Sequence, residues 1–246
     1  MESYILISAF FIIALVYSSV GFGGGSSYLA LLAQPFFGLL PETIRPIGLL
    51  CNIVVVTGGT FIFYRQGLLK WKEIWPFLVL SVPAAFVGGY WKLNVHTFFI
   101  LLGFTLVLAA VFLWVKPHNT TSRKLSLTSQ LGLGGGIGLL SGLVSIGGGI
   151  FLSPILHLLS WSTASKISAL ASAFILVNSI SGLIGYFSAG GHSFHWPLAI
   201  PLLVAVLVGG QIGSRLGSQV FNEVYIRRIT AIVILVAALN ILRDHL

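Results

Sequence analysis

The sequence predicts an all-α polytopic membrane protein made of two inverted repeats. Each repeat is a broken or re-entrant helical hairpin followed by three transmembrane helices. Three observations carry this reading. The chain is 57% hydrophobic and only 7% charged, with a mean hydropathy of +1.02, whereas soluble domains carry about 25% charged residues. Two glycine triplets, Gly23-Gly24-Gly25 and Gly147-Gly148-Gly149, interrupt long apolar stretches at matching places in the two halves. The basic residues sit in short loops, and their distribution between the two sides depends on whether the triplets mark hairpins.

The elements follow in chain order. Apolar runs at 4–20 and 26–40 flank the first triplet. They reach about 25 and 21 Å, short of the roughly 30 Å of bilayer hydrocarbon, and joined as one straight helix they are far too long. A hairpin that dips in and returns fits both lengths. The start, Met1-Glu2-Ser3, lacks the basic region of a cleavable signal, so this first run reads as a membrane segment. Full spans are expected at 46–64, 74–91 and 97–115, completing a first repeat over 1–115. A polar stretch over 116–127 reads as a cytoplasmic linker. The second repeat, 128–246, starts with runs at 128–146 and 150–160 around the second triplet and continues with spans at 167–189, 197–214 and 226–242.

The halves match in more than the triplets, which lie 124 residues apart. Trp75-Pro76 returns as Trp196-Pro197, and Gly88-Gly89 as Gly209-Gly210, both after 121 residues. Asn52 and Asn178 each follow their triplet in the next apolar run, 126 residues apart. An ordered series of this kind is the mark of internal duplication in secondary transporters. With hairpins, ten bases fall inside (Arg65, Lys70, Lys72, Lys116, Arg123, Lys124, Lys166, Arg215, Arg227, Arg228) and three outside (Arg45, Lys92, Arg243). Treating each hairpin as one span gives seven against six. Cytoplasmic loops carry the excess of Lys and Arg, so the hairpin topology is preferred, with both termini outside. Three spans per half then make the halves opposite in orientation.

Two hairpins entering from opposite faces bring two helix starts to one central region. A helix start offers unpaired N–H groups and about half a positive charge, a backbone anion site. Glycine permits the break and lets a ligand approach the backbone. The expected substrate-binding residues are Ser19, Gly23, Gly24, Gly25, Ser26, Asn52, Ser145, Gly147, Gly148, Gly149 and Asn178. Arg45 and Lys166, near opposite mouths, are candidates for an electropositive gate; the alternative for each is an interfacial, snorkelling base. Plain interhelical hydrogen bonding is the alternative for the asparagines.

The remaining chemistry narrows the function. The acids Glu2, Glu42, Glu73, Glu223 and Asp244 all lie at termini or segment edges. No carboxylate is placed to hold a cation at depth, which argues against a sodium or metal-cation carrier. The single Cys51 excludes an internal disulfide. His192 and His195 without acidic partners make a poor metal site, and His157 reads as interfacial. No metal and no cofactor are expected. No acid, serine–histidine pair or metal cluster at depth supports an enzyme. The net charge of +8 lies in topology-setting loops and does not indicate nucleic acid. The expected partners are a small anion and the bilayer, with protons as a candidate coupling ion and a homodimer as a candidate assembly.

The run Ser19-Val20-Gly21-Phe22-Gly23-Gly24-Gly25 and its partner Gly142-Leu143-Val144-Ser145-Ile146-Gly147-Gly148-Gly149-Ile150-Phe151-Leu152-Ser153-Pro154 resemble the sulfite exporter TauE/SafE family. So does Ala169-Leu170-Ala171-Ser172-Ala173-Phe174, running on to Asn178. The resemblance implies a multi-pass protein of the prokaryotic cytoplasmic membrane that moves small sulfur-containing anions such as sulfite, sulfoacetate or related sulfonates. An anion channel, or a carrier of another small organic anion, is the competing reading.

Overall fold

The computed structural model describes residues 2–19, 21–114, 125–190, 194–216 and 223–246. Lys116, Arg123, Lys124 and His192 lie outside the described residues. Ten α-helices are described: α1 (Glu2–Ser19), α2 (Gly25–Leu32), α3 (Pro41–Arg65), α4 (Trp71–Tyr90), α5 (Val95–Trp114), α6 (Leu127–Val144), α7 (Gly149–Leu158), α8 (Ala164–Ser188), α9 (Trp196–Leu216) and α10 (Glu223–His245). The described residues contain no strand.

Local chemistry sets the breaks. α1 ends where Gly21 turns left-handed (φ +83°), with Phe22 N–H donating to Tyr17 O at 2.9 Å and Gly21 N–H to Ser18 O at 3.2 Å. These are the two bonds of a glycine-terminated helix. Gly24, at φ +81°, then starts α2. The second half repeats the geometry: Ser145 (φ 62°) ends α6, and Gly148 (φ 81°) starts α7. The apolar run at 26–40 is not one helix. α2 stops at Leu32, and a 3-10 turn over Pro35–Phe37 follows, because the residue before a proline avoids the helical region.

Among the described residues, six helices are long and apolar enough to cross a membrane: α3, α4, α5, α6, α8 and α9. Five of these are expected spans. The sixth, α6, was expected as one arm of a hairpin. Its 18 residues reach about 27 Å before the chain turns at Ser145. α10 (Glu223–His245), expected as a span, is a 23-residue helix with an apolar stretch over 229–242. Large apolar side chains such as Phe104, Val111, Ile184 and Val204 point outward and are more than half exposed, as a lipid-facing surface requires. Trp71, Trp91, Trp114 and Trp196 are exposed at helix ends, where indoles favour the membrane interface.

Helices pack mainly across the two halves. α4 lies along α6 and α1 along α9; α3 packs on α8 and α5 on α10; α4 meets α8 and α3 meets α9. Exchanging α1–α5 for α6–α10 in order maps this set of pairings onto itself: α4–α6 trades with α1–α9 and α4–α8 with α3–α9, while α3–α8 and α5–α10 map onto themselves. The glycines follow the same exchange. Gly88 faces α6 and Gly209 faces α1; Gly89 faces α8 and Gly210 faces α3. Each hairpin is therefore clasped by the other half.

The α4–α6 seam is the tightest. Side chains added at Gly134, Gly138 and Gly142 would strike the backbone carbonyls of Phe77, Ser81 and Ala85. Lipid is as apolar as a helix face, so such seams are held by close van der Waals packing between small residues rather than by hydrophobic burial. Gly88, from its sequence context, reads as a mild packing contact. In the structure its Cβ would lie 2.5 Å from Leu139 O and 2.7 Å from Leu143 N, so backbone must move to admit even a methyl group.

Gly138→Ala and Gly88→Ala should each destabilise the protein by about 1–3 kcal/mol through overpacking. Gly136 has open space around its Cβ position, and Gly136→Ala should leave stability unchanged or raise it by up to about 1 kcal/mol through helix propensity. Thermal unfolding in detergent, followed by size-exclusion chromatography, reads the difference.

Candidate functional site

The two hairpin turns meet at Asn52, near the middle of the 25-residue α3. Asn52 is fully buried, and its Nδ2 donates to Ile146 O in the second turn at 2.9 Å. The first turn packs against both ends of the amide. A Cβ on Gly23 would lie 2.7 Å from Asn52 Oδ1, and one on Gly25 would lie 2.6 Å from the same atom and 2.5 Å from Ile146 O. A Cβ on Gly147 would lie 2.8 Å from Asn52 Nδ2. Any side chain at these three positions pushes the turns apart.

A small cavity of about 20 Å³ sits at this meeting point, room for about one water-sized group. Gly23, Gly24, Gly25 and Ser26 form one wall, with Asn52 and Tyr17 beside them. Ile146, Ile150 and Ile175 form the opposite wall, and Leu113 of α5 and Thr230 of α10 close it. In α2 the first intrahelical bonds run from Ser27 and Tyr28 N–H to Gly24 O, both at 3.0 Å. The earlier N–H groups, of Gly25 and Ser26, thus head the helix without an intrahelical acceptor. Tyr17 Oη and Ser27 Oγ are 2.5 Å apart.

The two walls differ in character. The α2 wall has helix-start donors, Ser26 and Asn52. The α7 wall is isoleucine. α3 and α8 are both 25 residues long and start 123 residues apart, so the counterpart of Asn52 is Ile175, not Asn178. Ile175 fills the matching place, against the Cβ positions of Gly147 and Gly149.

A wider groove of about 360 Å³ leads up to the cavity between α1, α2 and α10. It shares Tyr17 and Thr230 with the cavity and is otherwise mostly apolar. Gln34 closes its far end, donating from Nε2 to Ala30 O (2.7 Å) and Ala237 O (3.4 Å).

The expected site residues are only partly gathered. Gly23, Gly24, Gly25, Ser26 and Asn52 line the cavity. Gly147, Gly148 and Gly149 pack behind it against Asn52, Phe174 and Ile175, and their neighbours Ile146 and Ile150 face it instead. Ser19 turns away, donating to Val16 O at 2.6 Å. Asn178 lies a turn beyond Ile175 and donates to Phe174 O in its own helix at 2.9 Å. Ser145 points to Arg45. Tyr17, Thr230, Leu113 and Ile175 went unforeseen; single residues in apolar helices carry no signal of convergence.

Arg45 does not stand at an open mouth. It is 5% exposed. Its Nε donates to Ser145 Oγ at 3.3 Å; its Nη1 donates to Trp91 O at 3.3 Å; its Nη2 reaches Gly88 O and Gly89 O at 3.1 Å and Gly142 O at 3.2 Å. The guanidinium also lies 5.2 Å over the Tyr186 ring. These carbonyls end α4 and α6, where helix dipoles favour a cation. Arg45 thus ties α3 to two helix ends and to the second turn. Its counterpart by register, Ser168, sits 3.0 Å from the Cβ position of Gly21, the counterpart of Ser145. Lys166 is partly buried and pairs with Glu73 at 3.1 Å, joining the starts of α8 and α4. His157, expected at an interface, is buried, its Nδ1 2.8 Å from Ser153 O. Among the described residues no group of three His, Cys, Asp or Glu side chains converges.

A family model described as sulfite exporter TauE/SafE matches residues 6–241. A probable membrane transporter protein of Sinorhizobium fredii is 34% identical over 194 residues, covering 75% of this chain and 76% of its own length. Another probable membrane transporter protein, of Methanocaldococcus jannaschii, is 28% identical over 195 residues, covering 75% and 72%. No solved structure matches the chain. With a family match over nearly its whole length and helices able to cross a membrane, this multi-pass chain belongs to the sulfite exporter TauE/SafE family of membrane transporters.

Proposed function

We propose that this protein is a secondary transporter, an exporter by family association, of small sulfur-containing anions such as sulfite, sulfoacetate or related sulfonates. It works by alternating access in the cytoplasmic membrane, as two inverted repeats with both termini outside. One observation carries the reading: the two interrupted hairpins meet at Asn52, and Gly25 and Ser26, the first residues of α2, line the cavity there. A helix start at mid-helix depth is an anion site made of backbone. The cavity is small and walled by Leu113 and Thr230, which favours an occluding carrier over a channel. The apolar groove beside α10 supplies an approach, and the arginine-tied helix ends supply a closed side.

Reconstituted into proteoliposomes, the protein should take up sulfite saturably and exchange it in counterflow. Gly24→Val should reduce uptake at least tenfold, because its positive φ and the Tyr28 ring 2.9 Å from its Cβ position refuse a branched side chain. Gly136→Ala should transport normally. A folded Gly24→Val protein with normal uptake would sink the tip site. In a Cys51→Ser background, single cysteines at Gly67 and Asn94 should react with an impermeant thiol reagent from opposite faces, Gly67 from the cytoplasm; labelling from one face would overturn the topology.

Arg45→Gln should lower stability at both low and high ionic strength, since its partners are buried and screened little by salt. Lys166→Gln should change stability by less than about 1 kcal/mol, as for exposed pairs generally. A loss of anion affinity for Lys166→Gln that fades with added salt would assign Lys166 to attraction at a mouth. A salt-independent loss would assign it to direct coordination.

A further inference from the structure

We infer that the tip site selects anions that carry a hydrogen-bond donor of their own, a monoprotonated oxyanion such as hydrogen sulfite rather than a fully ionised one. The inference deepens the transport reading above and rests on it. Its basis is the orientation of one buried amide. Asn52 is fully buried, and its Nδ2 donates to Ile146 O at 2.9 Å. A carbonyl only accepts, so this bond fixes which end of the amide is which. Oδ1 therefore faces the first turn, beside Gly23 and Gly25, and has no hydrogen-bond partner in the protein.

The mostly apolar cavity thus adjoins polar groups of two kinds. The α2 start, Gly25 and Ser26, presents N–H donors, which suit anionic oxygens. Asn52 Oδ1 presents an acceptor, which repels them. A complementary occupant needs acceptor oxygens on one side and an O–H or N–H on the other. Hydrogen sulfite has both within a few heavy atoms, and admitting it requires the cavity of about 20 Å³ to widen. A fully ionised oxyanion, or a sulfonate without a donor, leaves Oδ1 unsatisfied and sets oxygen against oxygen. Sites built to bond a ligand's hydroxyl discriminate strongly against analogues that lack it.

Protein titration does not supply this preference. Of the groups facing Asn52, Tyr17 lines the cavity from α1, Tyr28 lies on α2, Cys51 adjoins on α3, and α7, α8, α5 and α10 contribute Ile150, Ile175, Leu113 and Thr230. Among the described residues no carboxylate, amine or imidazole lines the cavity. The proton moves bound to the substrate, so each turnover carries one proton with the anion. The chain can therefore couple to protons without a buried acid.

The test is counterflow in wild-type proteoliposomes with equal pH inside and out. Sulfite uptake is measured across the second ionisation of sulfurous acid, with methanesulfonate, sulfate and taurine as competitors. Uptake at fixed total sulfite should fall about tenfold per pH unit above that ionisation, following the hydrogen sulfite fraction. Methanesulfonate and sulfate should compete at least about tenfold more weakly than hydrogen sulfite. Taurine competing as well as hydrogen sulfite would support the donor requirement with N–H as its source. Asn52→Leu, where it folds, should flatten the sulfite-to-methanesulfonate preference; where it does not fold, the wild-type series decides. Uptake indifferent to pH, with methanesulfonate competing equally, overturns the inference and leaves the transport reading standing. No saturable uptake of any of these anions overturns the transport reading itself.

Discussion

The bond from Asn52 Nδ2 to Ile146 O holds the centre of this molecule together. Two stretches of irregular backbone have to lie deep inside an apolar helical assembly, where unpaired polar groups are costly. One amide from α3 reaches both. It satisfies a carbonyl of the second turn and lies in contact with the glycines of the first. The glycine triplets are the geometric consequence. Their backbone lies so close to the amide that no Cβ fits at Gly23, Gly25 or Gly147. The cavity is the space left where these constraints meet, and its polar character follows from the side on which the amide stands.

Around that centre the fold depends on clasping rather than on a hydrophobic core of the soluble kind. Each hairpin lies along a long helix of the other half, α1 on α9 and α6 on α4. Glycine rows make the approach close enough for dispersion to hold. The arrangement also explains why the turns are accurately placed. A hairpin packed only on its own half would be free to swing; one packed on the opposite half is referenced to it.

The sequence made the class, the broken helices, most spans and Asn52 legible, because each depends on local composition or on glycine and length. It was less informative wherever distant residues combine. Arg45 reads as an edge charge, since nothing local announces carbonyls arriving from Gly88, Gly89, Trp91 and Gly142. Asn178 reads as the partner of Asn52 because both follow a triplet. The triplets are offset by 124 and the following helices by 123, and Asn178 lies three residues beyond the true counterpart, Ile175. That distance is nearly one helical turn. Tyr17 and Thr230 reach the cavity through helix packing alone.

The clasped halves match in topology but not in chemistry. At one set of helix ends an arginine gathers several carbonyls; at the corresponding set a serine meets a glycine. If the carrier alternates between two access states related by this near-symmetry, as proposed, they would not be isoenergetic. Under the alternating-access proposal, the state that keeps the arginine cluster intact would be the ground state, and leaving it would require breaking several charge-assisted bonds together. For a carrier of this design, half-saturation from the two sides would differ even though the overall equilibrium for the anion is fixed by its gradient alone. Rectification would arise from a single unpaired substitution in a duplicated scaffold, without any change to the binding centre.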